Sequence, residues 1–324
     1  MAVGYSEFDQ VRSMHAHGER DASLVGDLRE VELVAFDLDG TLLPSDKCIT
    51  ERTVRAIRQA SAAGITLVPA TGRVASVVPH ELLELPEIHF AICSAGASVE
   101  AITRGALGIH VHALHEVGFT PKQAAELVAH VESICGDSLA VDAGYGGKLY
   151  MSRAALDRVR AFELPAERIE FIGRSRIPVD DLPAALREFT GLVGRVNLFA
   201  QSERVRCATK AWLAKTLDVE LANSLSDNIE LNAPGTSKWN GLCWLADHMG
   251  IDPSHMLVLG DGENDIDMLR RATVGVAMAN AAESIRGKAR AVTTGTNDQD
   301  GVAAVLEEIV SLKSRAGRCP AMSS

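Results

Sequence analysis

The sequence predicts an α/β protein built on an open parallel sheet and interrupted by an inserted α+β module. Three observations carry that reading. Short apolar runs alternate with helical stretches from residue 31 to 96, each run ends in polar residues, and the alternation lapses between about 113 and 230 before resuming near 236. Strands buried on both faces read as near-continuous apolar runs, and the strand, helix, strand rhythm is that of a parallel sheet with crossover helices.

Residues 1–29 are polar and mixed in charge and read as an N-terminal extension. The run VELVAFDLDGTLL at 31–43 is a strand that delivers two aspartates and a glycine at its end. Thr50 is placed to cap the next helix, Val54 and Ile57 lie three apart on its apolar side, and Gly64 stops it. ITLVPATGR at 65–73 and IHFAICSAG at 88–96 supply the second and third strands. In the insert, Thr120 caps a helix over 121–135 with Leu127, Val128 and Val131 on its apolar side. Glycine-broken strands follow around LAVDAGYGGKLYM, with further strands at RVNLFA and NIELNAPG. The parallel rhythm returns with the helix TSKWNGLCWLADHMG, strands in HMLVLGDGENDIDML and ATVGVAMANA, and the helix DGVAAVLEEIVSL. The expected division is therefore an extension at 1–29, core at 30–112, insert at 113–230, core again at 231–313 and a tail at 314–324.

Composition removes several function classes. At 324 residues the chain has room for roughly two domains of about 150 residues each. Apolar residues make up 47% but aromatics only 4%, so the core must rest on Ala, Leu, Val and Ile. A net charge of −11 argues against a general phosphate-backbone binder, and no nucleic-acid partner is expected. No run of 18 apolar residues occurs, so neither membrane spanning nor export is expected. The cysteines at 48, 93, 135, 207, 243 and 319 form no CxxC pair and read as free thiols in a reducing compartment, the cytoplasm. Composition leaves monomer and homodimer equally open.

The chemistry concentrates where apolar runs end. Asp37 and Asp39 are one residue apart, so in an extended strand both point the same way, and Gly40 allows a tight turn. Two such carboxylates raise one another's pKa unless a cation intervenes; the other reading is a pair of turn aspartates. Thr71 offers a hydroxyl and an amide at a second strand end, or an ordinary helix cap. Asp261 and Asp265 follow a third apolar run, so four acids from two strand ends make an oxygen-rich site suited to magnesium, or a solvated acidic surface. Lys238 is a partner for anionic oxygens or a solvated lysine at a helix start. His110, His112 and His115 lack the spacing of a ligand set, Cys243 lacks an activating histidine, and GDGEND is not a dinucleotide fingerprint.

Taken together, FDLDGTLL, ATGR, GTSKWNGL, LGDGENDIDML, GVAMANA and VTTGTNDQDGV fall in an order that resembles the haloacid dehalogenase superfamily, in its Cof-like phosphatase branch with a type IIB cap, from 31 to about 313. The resemblance implies a Rossmann-like core and an inserted α+β cap. It implies that Asp37 is the nucleophile and Asp39 the general acid and base, that Thr71, Gly72, Lys238 and Asn264 bind phosphate, and that Asp37, Asp39, Asp261 and Asp265 hold Mg2+. Two departures stand out: SAGAS places Ala95 where many relatives have Asn, and GVAMANA has Ala279 where Gly is usual.

The implied activity is magnesium-dependent hydrolysis of a small phosphorylated metabolite, foremost a sugar phosphate, through an aspartyl-phosphate intermediate. A phosphomutase of the same superfamily and a non-catalytic phosphometabolite-binding protein are the alternatives. Tyr145, Lys148, Arg174 and Arg176 are the insert residues expected to contact the leaving group.

Overall fold

The computed structural model describes residues 11–13, 22–216, 219–222 and 228–316. Its first strands are β1 (Val11–Ser13), β2 (Leu33–Phe36), β3 (Thr66–Pro69), β4 (Phe90–Cys93), β5 (Ser98–Gly105) and β6 (Gly108–Glu116). The insert contributes β7 (Leu139–Tyr145), β8 (Lys148–Ser152), β9 (Arg176–Val179), β10 (Val193–Ala200), β11 (Glu220–Ala222) and β12 (Asn228–Asn232). The chain returns through β13 (Met256–Gly260), β14 (Val274–Ala277) and β15 (Ala291–Thr293).

The core sheet runs β1-β15-β14-β13-β2-β3, parallel throughout except for β1, which pairs antiparallel with β15. Alternation along β2 divides two apolar layers. Val34 and Phe36 face Leu24, Leu28, Ile57, Leu306 and Ile309 of the helices Ala22–Glu30, Glu51–Ala62 and Gly301–Ala316. Leu33 and Ala35 face Trp239, Leu242, Leu245, Met268 and Leu269 of the helices Lys238–Met249 and Ile266–Arg271. Full burial of a side chain such as Phe36 contributes about 2–3 kcal/mol. Thr50 caps its helix by accepting from the Thr53 amide, and Ser237 caps the Lys238–Met249 helix by accepting from the Asn240 amide.

From the expected extension, β1 and the helix Ala22–Glu30 lie on this core, with Leu24 and Leu28 buried in it. The expected tail begins within the last helix, which continues to Ala316; the rest of both segments lies outside the described residues. Cys319 is among those undescribed residues, and the other five cysteines are free thiols. β4 meets the core sheet through a bridge between Ala70 and Ile92, then turns back as an antiparallel sheet with β5 and β6. On β6, His115 stacks against Trp244, which stacks in turn on His248, so that histidine serves packing.

The insert is an α+β cap whose sheet runs β11-β12-β10-β7-β8-β9, antiparallel except for β8 beside β9. Val141, Leu198, Ile229 and Leu231 meet Val128, Val131, Leu186 and Leu213 of the helices Pro121–Cys135, Leu182–Arg187 and Glu203–Thr216 on one face. The first of these helices begins with a reciprocal capping box between Thr120 and Gln123. The helices Arg153–Val159 and Ala166–Ser175 cover part of the other face, around Ala140, Met151 and Phe199. The remainder of that face turns toward the core: Gly144 neighbours Val74, and the Gly147 carbonyl accepts from the Ser76 amide at 3.1 Å.

Candidate active site

Parallel register brings the motif residues to one edge of the core sheet. Phe36 sits opposite Leu259 on one side and Pro69 on the other, so the residues that follow emerge together. The Asp37 amide donates to the Leu259 carbonyl at 3.0 Å, and the Ala70 amide donates to the Phe36 carbonyl at 2.8 Å. Against this edge stands Lys238, at the first turn of its helix and 1% exposed.

The Lys238 Nζ donates to Asp37 Oδ1 at 2.5 Å and to Asp265 Oδ1 at 2.7 Å. The other oxygen of Asp265 accepts from the Asp261 amide at 3.0 Å and the Gly262 amide at 2.9 Å, so Asp265 both anchors the lysine and fixes the turn. Thr41 Oγ1 donates to Asp261 Oδ1 at 2.7 Å. Gly40, at φ +86°, presses against Asp261: a Cβ there would lie 2.3 Å from Oδ2, which explains why glycine follows the second aspartate.

Ligand oxygens of Asp37, Asp261 and Asp265 lie within 4.8 Å of one another, the one such convergence among the described residues. The electrostatics favour a cation there. Burial raises Asp37, and Asp265 and Asp261 add to that against the pull of Lys238. Asp261 is likewise pushed up to about 6 by burial and by the charges of Asp265 and Asp39, opposed by Thr41 and Lys238. Burial alone would lower Lys238, but Asp265 and Asp37 outweigh it and hold the ammonium protonated beyond the ordinary lysine range. All-carboxylate donors suit a hard ion, and the cluster is a magnesium site.

Asp39 is held differently. Arg73 grips it with Nε on Oδ2 and Nη2 on Oδ1, both at 2.8 Å, and Lys47 Nζ adds a contact to Oδ1 at 2.8 Å. Burial would raise this carboxyl, but Arg73 and then Lys47 prevail and hold it at about 2. Arg73 also donates to the Val77 carbonyl at 3.0 Å. Neither Arg73 nor Lys47 was expected from residue patterning; Arg73 stood in the quoted ATGR string, and that position was the available signal.

Thr71 is buried, and its hydroxyl accepts from the Arg73 amide at 3.1 Å. The Gly72 carbonyl accepts from Arg195 Nη1 of the cap at 2.6 Å. Asn264 is half-buried in the turn Glu263–Asp265, folded back over Gly262. The four cap candidates separate. Tyr145 and Lys148 flank the hairpin that meets the core at Ser76, with Tyr145 stacked on Phe189 at 4.0 Å. Arg174 is exposed beside Glu170, and Arg176 is 6% exposed and paired with Asp142 at 2.8 Å inside the cap. Arg176 therefore belongs to a buried ion pair and not to an open contact surface.

Comparisons with known proteins agree with this architecture. The family model described as haloacid dehalogenase-like hydrolase matches residues 34–306. The chain is 30% identical over 291 residues to the 5-amino-6-(5-phospho-D-ribitylamino)uracil phosphatase YitU of Bacillus subtilis, covering 86% of this chain and 98% of that protein. Similarity to the Endoribonuclease YBEY, chloroplastic, of Arabidopsis thaliana reaches 44% identity, but over 93 residues that make up 28% of this chain and 16% of that protein. Among solved structures, a haloacid dehalogenase-like hydrolase from B. subtilis aligns with a TM-score of 0.67 at 26% identity, over 86% of this chain and 99% of that one.

Proposed function

Because this chain belongs to the haloacid dehalogenase-like hydrolase family, and is a phosphatase on that ground and on its magnesium site, we propose that its substrate is a small sugar-like phosphomonoester, cleaved through an aspartyl-phosphate on Asp37. The observation that carries the assignment is the 2.5 Å contact of Lys238 with Asp37 inside the triple-aspartate cluster. A buried carboxylate fixed by an ammonium is oriented for in-line attack, and the same ammonium stands ready for the phosphoryl oxygens. The similarity to YitU, a phosphatase named for a phosphate ester on a ribityl chain, supports a polyol-like leaving group.

In this mechanism an Asp37 oxygen attacks phosphorus and the ester oxygen departs with a proton from Asp39. Water then attacks the acyl phosphate, Asp39 takes its proton, and Asp37 is released with inorganic phosphate. Thr71, the Gly72 amide, Lys238 and Asn264 hold the phosphoryl oxygens. Asp37, Asp261 and Asp265, with Asp39 beside them, would hold Mg2+, which when bound would supply Lewis-acid charge to the phosphoryl group. In the arrangement described, Asp39 is an anion gripped by Arg73 and Lys47, so its acid role requires that grip to loosen when substrate fills the site. The cap, taken as 113–230 between core segments 30–112 and 231–313, excludes water and reads the leaving group, with Tyr145 and Lys148 on its docking hairpin. The free thiols support work in the cytoplasm.

The reading is tested by measuring phosphate release from phosphorylated sugars, nucleotides and cofactors with and without magnesium. Magnesium-dependent turnover favouring sugar or polyol phosphates is expected; preference for nucleotides would displace the substrate class.

A further inference from the structure

The three histidines of β6 have no part in phosphoryl transfer, and the strand arranges them in a way their spacing along the chain does not show. His110 sits opposite Thr103 and His112 opposite Ala101 on β5, which places both on one face of the sheet. The register then slips between Val99 and Glu100, so that His115, opposite Val99, joins the same face in spite of its odd separation from His112. The irregular string HVHALH thus becomes a row.

The members of that row are engaged unequally. His115 is half-buried and stacked on Trp244, whereas His110 and His112 are exposed. Among the described residues neither of these two imidazoles has a hydrogen bond, an ion pair or a ring partner. By contrast, His80 and His255 face Glu84 and Glu32, and His130 and His248 stack on Trp212 and Trp244. Room and charge both suit an ion beside the free pair. The residues opposite are small, and the Thr103 hydroxyl is turned onto the His110 carbonyl at 3.3 Å. β6 is the edge of its sheet, so no described strand pairs with its outer side. It carries no lysine or arginine, and Arg104 on β5 donates instead to the Leu83 and Ile88 carbonyls, each at 2.8 Å. The charge within electrostatic reach of His112 is the carboxylate of Glu100.

We propose that His110 and His112 form a metal site separate from the aspartate cluster, and that it takes one divalent transition ion of the zinc, nickel and copper group. Residues two apart on a strand are separated by about 7 Å, and two imidazoles leaning together across that span can each set a ring nitrogen about 2.0–2.1 Å from a shared ion. Water fills the remaining coordination positions. Imidazole nitrogen favours this group of ions, whereas the oxygen donors of Asp37, Asp261 and Asp265 favour magnesium. The chain therefore sorts two kinds of metal by donor chemistry, at sites that share no residue.

The test is equilibrium dialysis of the full-length untagged chain against Ni2+ or Zn2+, in an excess of Mg2+ that keeps the aspartate cluster filled, with bound metal counted by elemental analysis. Native protein is compared with His110→Gln, with His112→Gln, and with a variant carrying both His15→Gln and His17→Gln, because His15 and His17 are the other pair two apart in the sequence. Each β6 variant is expected to lose one equivalent of ion, its affinity falling by at least the about tenfold that loss of a mere orienting partner causes. With Cu2+ as the probe, electron paramagnetic resonance should show coupling to two imidazole nitrogens in native protein and to one in each β6 variant. Both substitutions are at exposed positions, and circular dichroism should show the fold retained. Unchanged metal content in both β6 variants, or a loss confined to the His15 and His17 variant, overturns the site. So does native protein that binds neither Ni2+ nor Zn2+. The phosphatase reading stands or falls separately, on phosphate release.

Discussion

Arg73 binds both carboxylate oxygens of Asp39, each at 2.8 Å, and so holds as an anion the group assigned to protonate the leaving oxygen. The same guanidinium is tied to the Val77 carbonyl, in a loop whose Ser76 amide donates to the cap hairpin at Gly147. Cap seating and the position of the acid are thus joined through one side chain.

Arg73→Ala removes the group that fixes where the Asp39 carboxyl sits. Although its loss also lets that carboxyl hold a proton more readily, the misplaced acid should impair leaving-group protonation more than phosphorus chemistry. Turnover of a sugar phosphate is expected to fall about 100-fold, within the range that general acid catalysis supplies. With p-nitrophenyl phosphate, whose leaving group needs little protonation, the loss should be much smaller. Steady-state kinetics on both esters check this; equal losses would remove the positioning role.

Asp37→Asn keeps the volume of the side chain and removes the proposed nucleophile. Turnover should drop by about 1,000-fold or more, with circular dichroism and thermal unfolding showing an intact fold. Near-native magnesium-dependent hydrolysis by this variant would refute the assignment.

Metal dependence should track Asp261. Chelation is expected to stop native turnover, and Asp261→Asn should shift the magnesium activation curve to higher concentration, with partial recovery at saturating metal. Full activity in protein shown metal-free by elemental analysis would be incompatible with the site.

Ala95 gives a prediction about stability. It occupies the left-handed region, at φ 56° and ψ 28°, where a Cβ is penalised by about 1–2 kcal/mol. Ala95→Gly should stabilise the fold by about 0.5–1 kcal/mol after allowance for the greater freedom of glycine in the unfolded chain. Urea denaturation of the two proteins measures the difference.

The core was legible because parallel strands announce themselves as apolar runs and deliver their next residues to a common edge. Asp37, Asp261, Asp265 and Lys238 could be paired from sequence since three lie one to five residues beyond β2 or β13 and the fourth opens a capped helix. The cap was harder to read. Arg176 looked like a basic contact in GRSR, but β9 lies parallel to β8 and turns the guanidinium onto Asp142. Arg195, Asn197, Asn228 and Glu230 fell on the polar alternates of strands whose other face is Val196, Leu198, Ile229 and Leu231. Alternation of that kind marks one apolar face; it does not distinguish a face turned to solvent from one turned to a second module.

The antiparallel pairing of β1 with β15 has a consequence for how the protein is handled. A strand whose outer hydrogen-bonding groups lack a neighbour is a template for association with other chains. Val11–Ser13 covers those groups on β15, so a chain trimmed to begin at Val31 would present β15 bare. Such a truncation retains every residue of the catalytic edge, yet would be prone to self-association through the sheet.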